Sequence, residues 1–128
     1  MRKLSDLKLN NDYLLGEKEK LLEFLMGLCE KARREGLLSL ESDLESSELF
    51  WNGGDLLTLG LSLIIDGVEP AEVEDLLVLY ILRNNRKGSN DYLKNIIFTE
   101  TVLNIQSGLN PRLLKLKLEI LLKIKNVL

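Results

Sequence analysis

Apolar residues in this chain return at spacings of three and four, and glycine, asparagine and proline cut that rhythm into short lengths. Leu21, Leu25, Leu28, Cys29 and Ala32 make one such stripe, the pattern of a helix with one buried face. Gly36, Asn52-Gly53-Gly54, Gly67, the stretch from Asn84 to Ser89 and Gly108 interrupt the pattern, and each is a stop or turn signal. A chain punctuated so often folds as several short helices packed side by side. Leucine and isoleucine must fill the interior, because 45% of the residues are hydrophobic and only 5% are aromatic. A length of 128 residues suits one domain with one core. The expected fold is therefore all-α, a compact bundle of about five to six short helices.

The elements follow from the stripes and their stops. Residues 1–16 carry no clean period and contain a turn signal at Asn10-Asn11-Asp12, so they are expected to be an N-terminal arm, mobile or loosely docked. Residues 17–128 are expected to be a single helical domain. Its first helix spans about Glu17 to Glu35 and ends at Gly36. A second, acidic helix runs from about Leu37 to Glu48, with Leu37, Leu40, Leu44 and Leu38 toward the core. Asp55 is placed to cap a third, over Leu56 to Ile65, apolar nearly all round and so expected at the centre of the core. Pro70 opens a fourth at its first position, where a missing N–H costs nothing; Val73, Leu76, Leu77, Tyr80 and Ile81 form its inward stripe. A fifth, Asn90 to Gln106, should bury Leu93, Ile96, Ile97, Phe98, Val102 and Leu103. Asn110 caps the last helix and Pro111 takes its first position. The run Leu114 to Ile120 alternates apolar and polar residues as a strand would, but leucine and lysine favour helix, and helix is the expectation.

Several function classes fall away at this level. The chain has no histidine, which removes the commonest general base and the commonest metal ligand. No glycine-rich nucleotide cradle is present. The acid pairs Glu41 with Glu45 and Glu74 with Asp75 lie in densely charged segments and read as solvated helix faces. No catalytic, cofactor-binding or metal-ligating residue is expected, and the chain is not expected to be an enzyme. Cys29 is the single cysteine; it reads as a small buried apolar residue. No apolar run approaches the roughly 20 residues that cross a bilayer, and the first residues lead to no expectation of a secretory signal. The location expected is cytoplasmic, with membrane contact only peripheral if any. The net charge of −3 is unevenly spread: residues 17–75 hold 15 acids and 5 bases, whereas residues 76–128 hold 9 bases and 3 acids. Opposite signs of that kind draw the two halves together, or draw the tail to an acidic partner. Nucleic acid is not an expected partner, because the chain is acidic and its basic end is poor in aromatics.

Three blocks carry a family resemblance. The first is Ala32, Arg33, Gly36, Leu37, Leu40 and Glu41. The second is Gly60, Leu63, Asp66, Gly67 and Pro70. The third runs from Tyr92 through Ile96, Ile97 and Glu100 to Ile105, Gly108, Asn110, Pro111, Arg112 and Leu118. In this order and spacing they resemble the cytoplasmic regions of the MotA family, the proton-channel subunit of the bacterial flagellar stator. Residues 17–83 resemble the loop between its second and third membrane helices, and residues 90–128 resemble its C-terminal tail. The family's later membrane helices fall where this chain has only the charged stretch near Asn84 to Ser89. The chain thus looks like a relative without membrane hairpins; an engineered splice at Gly88-Ser89 is the less favoured origin.

The resemblance implies a soluble interaction protein of the flagellar motor, without channel activity. In the family a charged arginine and a charged glutamate of the loop meet the rotor switch protein FliG. By motif position these correspond to Arg33 and Glu41, so FliG or a stator subunit is the expected partner. If the helix continued through Gly36, the two would stand about 12 Å and about 80° apart; the plainer reading pairs Arg33 with Glu30 on its own helix. The alternative function is a helical scaffold or regulatory module outside motility. It would self-associate as a homo-oligomer through the last helix, whose leucines and isoleucines occupy more than one face.

Overall fold

The fold, given by a computed structural model, is described for residues 4–45, 55–84 and 90–123. Within these residues it is all-α, as expected, with six α-helices and no strand. Helix α1 spans Leu4–Glu35. A 3-10 turn at Leu37–Leu40 leads into the short α2, Glu41–Leu44. Then come α3, Asp55–Ile65, α4, Pro70–Asn84, α5, Asn90–Ser107, and α6, Pro111–Leu122.

The boundaries agree with the stop signals, with two corrections. Helix α1 begins at Leu4, not Glu17, and no turn interrupts it at Asn10-Asn11-Asp12. Asn and Asp lower helix propensity by well under about 1 kcal/mol each, a small penalty once the adjoining helix has supplied the nucleus. The second correction is that no continuous helix covers residues 37–44. Gly36, at φ 89° and ψ 166°, sends the chain into a 3-10 turn, and the Ser39 hydroxyl donates to the Gly36 carbonyl at 2.6 Å. The expected continuation to Glu48 lies outside the described residues. Asp55 is the first residue of α3, one place inside its expected capping position. At the far end, Asn110 accepts from the Arg112 N–H at 2.9 Å and Pro111 opens α6, as its sequence predicts.

The core is aliphatic. Leu25, Leu40, Leu56, Leu57, Leu61, Val73, Leu77, Val102, Leu114 and Leu118 are fully buried, with Phe98 the largest side chain among them. The α1 stripe of Leu21, Leu25, Leu28, Cys29 and Ala32 is buried as expected. Leu38, Leu76 and Leu93, expected inside, are exposed at 69%, 39% and 38%. Leu38 points away because the 3-10 turn alters the angle between successive residues. In α4 the buried residues are Val73, Leu77 and Ile81; a strict spacing of four leaves Leu76 to one side.

Helix α3 is buried along Leu56, Leu57, Gly60, Leu61 and Ile64, yet α5 is the hub, packing against α1, α3, α4 and α6. Its polarity concealed this in the sequence. Asn95, Thr99, Thr101 and Asn104 are all buried. Thr99 and Thr101 donate to the carbonyls of Asn95 and Ile97, each at 2.8 Å, so these hydroxyls enter the core without losing a hydrogen bond. The closest approach is at Gly60. A Cβ there would stand 2.7 Å from a Val102 methyl carbon, so α3 and α5 sit together only because the side chain is missing.

Candidate functional site

The three sequence blocks meet in space. The first, at the end of α1, faces the turn between α5 and α6 that holds the third. Arg33, in the last turn of α1, reaches that turn: its guanidinium donates to the carbonyl of Gly108 at 3.5 Å and of Leu109 at 3.4 Å. Both carbonyls lie just beyond the C-terminus of α5, where unpaired carbonyls favour a cation. The second block joins the third at Gly60 against Val102 and again at Gln106, whose Nε2 donates to the Val68 carbonyl at 2.6 Å. Gly67 and Gly108 turn the chain with φ of 81° and 69°.

Arg33 and Glu41 are both exposed and stand on either side of the Gly36 break. The helix does not run through Gly36, so the spacing estimated for a continuous helix does not hold. Nor does Arg33 form an ion pair with Glu30; the backbone of the α5–α6 turn is its partner. The Lys31 ammonium bonds Asp43 at 3.0 Å and Ser42 at 3.3 Å, which ties α1 to α2 and uses the Asp43 charge internally. Glu41 makes no ion pair among the described residues. Arg33 is thus seated but accessible at the end of α1, and Glu41 projects into solvent at the start of α2.

Beside Arg33 lies a cleft of about 250 Å³, with walls that include Cys29, Ala32, Leu37, Asn104, Ile105 and Leu109. The Cys29 thiol donates to Asn104 Oδ1 at 3.7 Å, while Asn104 Nδ2 is buried without a partner among the described residues. Burial pushes the thiol pKa up; the nearby Arg33 charge opposes that shift and Glu30 adds to it. Cys29 is thus the buried small residue its spacing predicts, and its protonated form suits donation to Asn104.

Two further apolar surfaces lie outside the inward stripes. The outer side of α4 exposes Leu76, Val78, Leu79 and Leu82, and the outer side of α6 exposes Leu113, Leu116 and Ile120. The signal was legible: once a spacing of four is assigned inward, the remaining leucines of each helix form a stripe of their own. For α6, an apolar second face is the one expected.

Compared with known proteins, the chain is similar to Motility protein A of Borreliella burgdorferi, with 32% identity over 80 residues. That region is 60% of this chain and 28% of the relative, so the matched part spans little more than a quarter of that protein. The relationship is MotA-like and distant. No protein-family model matches the chain, and no solved structure does. Among the described residues, no helix is long and apolar enough to cross a membrane.

Proposed function

We propose that this chain is a non-catalytic, cytoplasmic interaction protein of the bacterial flagellar motor. It binds the rotor switch protein FliG, or a stator subunit, through Arg33 and Glu41. The observation that supports this is the contact of the second and third MotA-like blocks and the seating of Arg33, from the first, on the turn of the third, together with the similarity to Motility protein A. Arg33 offers a guanidinium already held in place, so less side-chain entropy is lost when a partner carboxylate binds. Glu41 offers the opposite charge on a separate element, which suits selection by charge pattern more than by area.

The test is binding to purified FliG, with the double variant Arg33→Glu, Glu41→Lys beside the wild type. The double variant is expected to bind more weakly, and charge reversal on FliG to restore part of the loss. Equal binding by wild type and variant removes the charge-based mechanism. Circular dichroism of the variant checks that the helical fold survives.

A second reading has its own observation. Exposed Leu113, Leu116 and Ile120 favour a helical module that self-associates through α6, outside motility. Sedimentation at several concentrations tests it; a strict monomer at the highest concentration excludes it.

A further inference from the structure

The outer faces of α4 and α6 differ in charge as well as position. On α4 the exposed leucines Leu76, Leu79 and Leu82 run beside exposed Glu72 and Asp75, with Arg83 as the minority charge. On α6 the outer row of Leu113, Leu116 and Ile120 is bracketed by exposed Arg112 and Lys123, with half-buried Glu119 as the minority charge. Each row lies opposite its helix's buried stripe, Val73, Leu77 and Ile81 in α4 and Leu114, Leu118 and Leu122 in α6. Both helices pack inward on α5, so the two outer rows of one chain cannot cover each other.

We infer that the α4 face of one copy docks on the α6 face of a second copy. This rests on the self-association reading above and is independent of Arg33 and Glu41. Contiguous exposed apolar rows flanked by charge are the mark of an association surface, and the charges select the partner. An α6–α6 contact sets Arg112 and Lys123 against the same cations, and an α4–α4 contact sets acid against acid; like charges placed together oppose docking. The α4–α6 contact brings opposite signs together around an apolar centre. It uses a different patch on each chain, so every copy keeps one face free and addition continues, into a ring or an open chain. A contact of one helix on another is small, so the association is weak and concentration-dependent.

The experiment is sedimentation velocity on the full chain, from dilute solution to the highest soluble concentration. Two variants each blunt one exposed face: Leu79→Gln with Leu82→Gln, and Leu116→Gln with Ile120→Gln. Circular dichroism and thermal melting confirm that each still folds. The wild type is expected to grow in mass with concentration, and each variant alone to remain a monomer. An equimolar mixture of the two should form a pair and nothing larger, because each contributes one intact face. A second pair of variants reverses charge: Glu72→Lys with Asp75→Lys, and Arg112→Glu with Lys123→Glu. Each should lose association alone and regain wild-type growth when mixed. A wild type that stays monomeric overturns both this inference and the self-association reading. An α4 variant that associates as the wild type does overturns the inference alone, as does a mixture that stays monomeric.

Discussion

Gly60 sets the distance between two helices by what it lacks. A Cβ at this position meets Val102 at 2.7 Å, and Val102 is a buried, β-branched side chain with little rotamer freedom to yield. Gly60→Ala is expected to destabilise the fold by about 1–3 kcal/mol, measured by urea denaturation. Adding Val102→Ala makes room, so the double variant should lose less than the sum of the two single losses. Cys29 has a consequence on the pH axis. Its pKa is raised in the folded state, so folding favours the protonated thiol. Stability should be undiminished below the unfolded-state value of about 8.5. It should then fall as pH rises from there through the higher folded-state value. Cys29→Ala should flatten that alkaline decline, read from denaturation midpoints across the range. Burial of Cys29 was legible from its place in the α1 stripe. The seat of Arg33 was not, because a contact with backbone carbonyls some seventy-five residues away leaves no trace in local spacing.

At the scale of elements, α6 shows how a strand-like pattern becomes a helix. The alternating run Leu114, Leu116, Leu118, Ile120 divides into two sets at spacings of four. Leu114 and Leu118 turn inward and Leu116 and Ile120 turn outward. Leu118→Ala should therefore cost about 2–5 kcal/mol, while Leu116→Ala should stay within about 0.5 kcal/mol; paired urea melts of the dilute chain distinguish them. The break between α1 and α2 makes a further case. Gly36 holds φ 89° and ψ 166° with open space around it, so Gly36→Ala is opposed by backbone torsion and not by collision. The expected loss is roughly 1–3 kcal/mol. Sequence marked the break, since glycine commonly ends helices, but not the 3-10 turn after it, which depends on Leu40 reaching the core.

For the whole molecule, residues before and after the 85–89 stretch form one packed unit. Helix α6 lies against α1 and α5, and its Leu114, Leu118 and Leu122 share the core with Leu21, Leu25 and Leu28. A chain ended before Asn110 should therefore lose cooperative unfolding and bind hydrophobic dyes. The all-α class, the order of the helices and most of the α1 and α4 stripes could be read from periodicity and stops. The hub role of α5 could not, because satisfied threonines in a core look like surface until their backbone bonds are seen. The two residues proposed for partner contact were legible only by resemblance; spacing alone says that they are charged.

The grip of Arg33 on two carbonyls has a mechanical consequence. Only Nη1 makes those bonds, so a carboxylate that takes the remaining guanidinium N–H groups leaves them in place and restrains the side chain that makes them. Amide exchange in the first turn of α6 should then slow on binding, because the turn that leads into it is held more firmly.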